Sequence, residues 1–289
     1  MFSCPALGFG IARRCARTLL PVGLVFAARP AAAGDEVGSG GTIPIAAPAA
    51  PRRELTTDRP DVTESPFTID RGHGQLEMDL ANTTRNRRDG ERTTTWELAP
   101  FNVRLGVTEN FELGIFAGPY VRQVEEPRGG PKDRRAGLDD VVLRAKFNFW
   151  GNNGGDSAGG IMADLLLPAG THGLGGGKTG AGVRLPLALT LPGGWDLGLM
   201  TGGDWIRHDA DGRRARWINT ATLGHDLTRT VSAYAELTSD AGRGPQVATF
   251  DLGMAWRANP NLQWDAGVNI GISRAADDLQ VFAGVSRRY

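Results

Sequence analysis

The chain has 289 residues, with 32 Lys and Arg against 32 Asp and Glu, so its formal charge is zero and no bulk attraction to nucleic acid is implied. Its two cysteines, Cys4 and Cys15, both fall near the N-terminus, which leaves the rest of the chain without a disulfide, a thiolate metal site or a cysteine nucleophile. Beyond the N-terminal stretch no apolar run approaches the ~20 residues of a membrane helix. A slightly negative mean hydropathy is still compatible with a membrane barrel, whose strands need only every second residue apolar.

Arg13, Arg14 and Arg17 make a positive segment, residues 18–28 a short apolar run, and Ala31, Ala32 and Ala33 a small-residue cleavage site. This pattern predicts a signal peptide over residues 1–33 and export from the cytoplasm. Residues 34–55, rich in Gly, Ala and Pro and without periodicity, read as a disordered periplasmic tail. Residues 56–74 hold Thr57-Asp58-Arg59-Pro60-Asp61 and then Glu64-Ser65-Pro66-Phe67. Two prolines among charges argue against a regular strand and give an irregular N-terminal segment.

From Gln75 the apolar residues fall two apart, the period of a strand and not of a helix. Leu76, Met78 and Leu80 alternate with Gln75, Glu77 and Asp79. Trp96 and Leu98 share one face, while Phe101, Val103 and Leu105 take the opposite parity, which a bulge near Ala99 and Pro100 reconciles. Phe111, Leu113 and Ile115 follow, then Leu143, Ala145, Phe147 and Phe149. In residues 161–167, Leu166 breaks the parity. Val183, Leu185, Leu187 and Leu189, then Trp195, Leu197 and Leu199, restore it. Residues 215–223 are the least regular, and further alternating stretches lead through Phe250, Met254, Trp256, Trp264 and Val268 to Val281, Ala283 and Val285.

Twelve such stretches are joined by connections that are alternately tight (108–110, 192–194, 226–229, 259–261) and longer and polar (125–137, 169–178, 207–213, 239–245). Phe111, Phe149, Trp195, Trp256, Trp264 and Tyr289 lie near the tight-turn ends on the apolar face, and Trp96, Trp205 and Trp217 near the long-loop ends. Two aromatic bands, an even strand number, short turns on one side and a leader describe an all-β, transmembrane antiparallel β-barrel of about 12 strands, of the bacterial outer-membrane type, over residues 75–289. A secreted sandwich would share the alternation but not the bands or the turn pattern.

The polar face then lines the lumen. It carries the selectivity candidates Arg104, Glu112, Arg122, Asp140, Arg144, Lys146, Arg184, Asp204, Glu236, Asp251 and Asp265. The same face bears Gly114, Gly182, Gly198, Gly202, Gly253, Gly267 and Gly284. Either opposite charges zip the interior shut, or the glycines leave a passage whose charges set selectivity. Other motifs fail on spacing. Gly175-Gly176-Gly177-Lys178-Thr179 resembles the end of a phosphate loop, but His172 stands where its first glycine belongs. His73, His172, His208 and His225 show no ligand spacing, and His208 with Asp209 and Asp211 is read as a solvated loop before a cation site. No acid–base constellation is present, so no catalysis, cofactor or metal is expected.

Thr57-Asp58-Arg59-Pro60-Asp61, Glu64-Ser65-Pro66-Phe67 and Gly74-Gln75-Leu76-Glu77 together resemble the opening signature of a family of outer-membrane transporters associated with the meta-cleavage pathway of phenol degradation. Later pieces resemble it in the same order: Gly137-Leu138-Asp139-Asp140, Leu143-Arg144-Ala145-Lys146-Phe147, Leu167-Pro168-Ala169-Gly170, Tyr234-Ala235-Glu236-Leu237 and residues 281–286. Ala169 replaces the family's small hydroxyl residue, and the end Arg287-Arg288-Tyr289 departs from its aromatic-Arg-Phe. The resemblance implies a passive outer-membrane channel for small, aromatic or apolar compounds. A closed structural or surface-interaction barrel is the alternative. Asp58, Arg59, Asp61 and Glu64 are then a plug or rim at the periplasmic mouth. Expected partners are outer-membrane lipid and the barrel-assembly machinery, which reads the C-terminal strand.

Overall fold

A computed structural model describes residues 53–208, 212–242 and 244–289. The leader and the tail up to residue 52 fall outside them, as do Asp209 and Asp211 of the cluster with His208. Fifteen strands follow in order: β1 (Gly74–Arg88), β2 (Glu91–Leu98), β3 (Phe101–Gly106), β4 (Phe111–Ala117), β5 (Tyr120–Glu126), β6 (Asp133–Gly137), β7 (Val141–Trp150) and β8 (Ser157–Leu167). The rest are β9 (Gly180–Leu191), β10 (Trp195–His208), β11 (Gly212–Asp226), β12 (Val231–Gly242), β13 (Val247–Asn259), β14 (Leu262–Gly271) and β15 (Leu279–Arg288). All pair antiparallel, and β15 pairs back onto β1, so the sheet closes. Three staves are each broken once, between β2 and β3, β4 and β5, and β6 and β7, which makes a closed barrel of twelve staves. Closure removes the free edges that an open sheet of this size would expose.

The breaks lie side by side. Leu98 pairs Tyr120 and Phe101 pairs Ala117, leaving Ala99 and Pro100 opposite Gly118 and Pro119. Next to them, Ala117 pairs Val141 and Val121 pairs Gly137, leaving residues 138–140 outside the ladder. β1 carries its own bulge at Leu80. Pro100 and Pro119 lack the N–H a ladder needs, and Ala99 sits at φ 53°, so the chain itself imposes the interruption. Each bulge flips the inward parity. Asn102 and Arg104 point inward on β3 but Glu97 on β2; Glu112 and Gly114 do so on β4 but Val121 and Gln123 on β5.

The outer face is apolar, as a lipid-facing wall requires, with Leu113, Ile115, Phe147, Leu185, Leu237 and Val281 exposed on it. The nine aromatics of the two bands all point outward. Trp256 and Trp264 pair across β13 and β14, Trp195 stacks on His225 at 4.5 Å, and Trp205 meets Trp217 edge-on at 6.2 Å. Trp150 joins the tight-turn band because a bulge after Asn148 turns it outward beside Phe149. The stretch 125–137 is for the most part not a loop: β5 runs to Glu126 and β6 starts at Asp133, so the hairpin stands up as paired strands.

Candidate functional site

The interior holds an inventory that a barrel core normally avoids: Arg104, Arg184, Lys146, Glu77, Glu112, Glu236, Asp79 and Asp251 are all essentially inaccessible to solvent. Charges so placed must be paired and hydrogen-bonded. Many of their partners lie not on the wall but on the segment before β1, which runs inside the barrel from the tight-turn end.

Asp58 sits at the centre of one cluster. Lys146 Nζ reaches its Oδ1 at 2.5 Å, Arg104 Nη1 its Oδ2 at 3.5 Å, and its own N–H donates to both Glu77 oxygens at 3.2 and 3.0 Å. Arg104 also bonds Glu77 at 2.6 Å and Glu112 at 2.9 Å, and donates to the Phe67 carbonyl at 3.2 Å. Burial raises the Asp58 carboxyl, but Arg104, Lys146 and Arg144 together outweigh it and hold the group at about 2. Arg144 bridges Glu64 of the segment, at 2.5 Å, and Asp164 of the wall, at 2.7 Å. Arg59 bridges Asp79 and Asp265, two wall carboxylates on β1 and β14. Burial depresses the Arg59 guanidinium, and those two carboxylates more than restore it, so it stays charged.

Glu236 holds the far bend of the segment. Its carboxylate accepts the N–H of Val62 at 2.8 Å, the N–H of Thr63 at 2.7 Å and the Thr63 hydroxyl at 2.5 Å. Asp61 stands beside it. Removal from water and then the Glu236 charge push the Asp61 carboxyl well above the usual carboxylate range. Nearer the tight-turn end the wall takes backbone groups: Asn148 donates to the Pro66 carbonyl at 3.0 Å, and Glu112 accepts the Ile69 N–H at 2.8 Å. At the mouth Arg288 donates to the carbonyls of Arg53 and Glu54.

The glycines do not leave a passage. A Cβ at Gly284 would strike the Arg59 guanidinium, one at Gly198 would meet Thr222 and Thr63, and one at Gly182 would meet Asp204. Gly253 and Gly267 stand directly opposite Tyr234 and Phe282, whose rings lie over them. Each glycine is therefore space for a neighbour.

Two lumen candidates are corrected. Arg122 is exposed on the outer wall, its guanidinium 5.7 Å from the Trp96 ring centre, because the bulge at Gly118 and Pro119 reverses the alternation that β4 establishes. Asp140 lies within the row of breaks, and its carboxylate accepts the N–H groups of Gly170 at 2.9 Å and Gly176 at 2.7 Å. It anchors the glycine-rich loop that follows β8 and does not line the passage. Asp204 faces inward and pairs with Arg184 at 2.9 Å, while the Asp251 carboxylate accepts the Thr249 hydroxyl at 3.0 Å.

One group of inward residues had no place among the candidates. Phe116, Val142, Leu166 and Ile206 share a register row: Phe116 pairs Val142, Val142 pairs Leu166, Leu166 pairs Gly180 and Gly180 pairs Ile206. A Cβ on Gly180 would touch both Ile206 and Leu166, and Arg144 lies over the Phe116 ring at 4.5 Å. An apolar belt therefore sits next to the Arg144, Asp164 and Asp204 charges, on their long-loop side. The parity break at Leu166 was its sequence signal. Among the described residues no group of three His, Cys, Asp or Glu side chains is placed to hold a metal.

A closed twelve-stave barrel with lipid-facing aromatic bands and an internal N-terminal segment is the architecture of an outer-membrane barrel. Residues 57–289 match the family described as "Putative MetA-pathway of phenol degradation", and the chain belongs to that family. Among solved structures, an outer membrane channel from Pseudomonas putida F1 superposes with a TM-score of 0.59 at 12% identity, covering 78% of this chain and 98% of that one. The β-domain of a Bordetella autotransporter gives 0.49 at 15% identity, with 76% and 100% covered. The KdgM porin gives 0.46 at 10%, with 74% and 98% covered. The first shares the fold. No curated protein matches the sequence.

Proposed function

We propose that the protein is a passive outer-membrane channel for small apolar compounds, aromatic ones included, with residues 53–73 as a seated internal plug. The observation that carries this reading is the belt of Phe116, Val142, Leu166 and Ile206 inside an otherwise charged wall. An interior filled by ion pairs needs no belt of four apolar side chains, whereas such a belt gives a desolvated solute a surface to move along. Membership in a family described by phenol degradation and likeness in fold to an outer membrane channel support the same reading.

The wall charges support a separable plug. Glu236, Asp265, Asp79, Lys146 and Asn148 make their contacts with the segment, so the barrel is built around an insert that is not part of its ladder. In this reading Asp58, Arg59, Asp61 and Glu64 fix the plug, and Arg104, Glu112, Arg144 and Lys146 form its socket. Export uses the leader. The barrel-assembly machinery engages β15, whose Val281, Ala283 and Val285 face outward ahead of the terminal Tyr289, with Arg287 the one misfit.

The rival reading, a closed structural barrel, draws on the same ion pairs as permanent filling. Deleting the gene and following growth on a monocyclic aromatic carbon source at low concentration separates the two. Slower growth, restored by the gene on a plasmid, is expected. Unchanged uptake would reject the channel.

A further inference from the structure

Arg122, on the outer wall, belongs to a feature that the channel function does not use. Outward side chains of β15, β1, β2 and β5 fall into two register rows: Val281, Thr83, Trp96 and Arg122 in one, and Leu279, Arg85 and Thr94 in the next toward the long-loop rim. Between them lies a groove of about 300 Å³ lined by Thr83, Arg85, Trp96, Leu279 and Val281. Its floor is aliphatic and aromatic, and its outer edge is cationic. Among the described residues neither Arg85 nor Arg122 has a carboxylate partner, and Arg122 rests on the Trp96 ring.

A guanidinium on a lipid-facing wall is costly unless it lies at the interface and meets an anion there. Trp96 marks the interface height, since indole rings settle at the headgroup level. Arg122 is level with it, and Arg85 stands one row further out, which is where headgroup phosphates lie. Arginine is suited to this task, because its planar fork takes phosphate oxygens in pairs. With the short turns in the periplasm, the long-loop rim lies in the outer leaflet, whose lipid is phosphorylated and multiply acylated.

We propose that this groove binds lipid A, with Arg85 and Arg122 on a phosphate and an acyl chain along Trp96, Leu279 and Val281. The arrangement needs both halves. A free phosphate would lack the apolar floor, and the height of the groove, at the long-loop rim, places it against the outer leaflet and its lipid A.

The test uses the folded full barrel in detergent, with heat-modifiable migration as the folding check, titrated with bisphosphorylated lipid A and read by native mass spectrometry. The wild type is expected to retain one lipid A, and the R85Q/R122Q double variant to bind at least tenfold more weakly. R85K/R122K keeps the charge but loses the paired fork, and is expected to bind more tightly than R85Q/R122Q and more weakly than the wild type. R229Q/R287Q removes two charges at the opposite end and is expected to bind as the wild type does. Equal binding by R85Q/R122Q, or displacement of lipid A by an equal concentration of phosphatidylglycerol, would overturn the proposal.

Discussion

Replacing Glu236 by Ala tests how firmly the plug is held. The substitution removes one carboxylate that accepts three hydrogen bonds from Val62 and Thr63. Hydrogen bonds to a charged acceptor contribute roughly 1.5–3 kcal/mol each, but water entering the lumen restores much of each lost bond. A net weakening of about 2 kcal/mol follows, and at about 1.4 kcal/mol per decade this raises the undocked population roughly thirtyfold. Two assays read it. A cysteine at Ser65 should react with a membrane-impermeant maleimide about that much faster in the variant, and single-channel openings in a planar bilayer should become correspondingly frequent. Glu236→Gln keeps one acceptor oxygen and should fall between. Labelling and open probability equal to wild type in folded Glu236→Ala protein would refute the idea that this contact holds the plug.

The plug should also respond to pH, through Asp61. Its carboxyl is raised in the docked state, so docking takes up a proton. That stabilisation is complete at low pH and is lost as pH rises through the raised value, so openings should increase toward alkaline pH. Asp61→Asn should flatten the profile, and an unchanged slope would contradict it. Asp58 acts in the opposite sense: its carboxyl is held at about 2, so its contribution is present above ~4 and fades as pH falls toward 2. Lys146→Met leaves Asp58 buried with only Arg104 and the more distant Arg144 to offset its charge and should lower plug stability by about 3 kcal/mol. The double variant Lys146→Met/Asp58→Asn should recover part of this, as read by the temperature at which the folded gel band disappears. Gly284→Val places a Cβ in the Arg59 guanidinium and should speed Ser65Cys labelling while the barrel still folds; labelling at the wild-type rate would mean that Arg59 has another seat.

The strand period, the two aromatic bands and the bulge at Pro100 were all legible in the sequence, because each is a local signal with a fixed spacing. The bulges at Gly118 and at residues 138–140 were not. Each inserts too little to disturb the look of an alternating run, yet each reverses every side chain beyond it, so that alternation alone puts Arg122 on the inner face. The glycines misled for a related reason: a bare position reads as space, and only the cross-strand register shows that Tyr234, Phe282 or Arg59 occupies it. The plug contacts join residues far apart in the chain, Thr63 to Glu236 and Arg59 to Asp265, and charge alone cannot pair them in advance. Leu166 shows the opposite lesson. Its departure from the pattern was visible, and it marked the apolar belt.

The most direct test of the channel is the initial uptake of a radiolabelled monocyclic aromatic hydrocarbon by cells that carry wild-type protein or the Phe116→Ser/Leu166→Ser variant at equal folded abundance. The belt account predicts a severalfold slower uptake by the variant, approaching that of the deletion strain, with entry of a small hydrophilic solute unaffected. Equal aromatic uptake by both would contradict it.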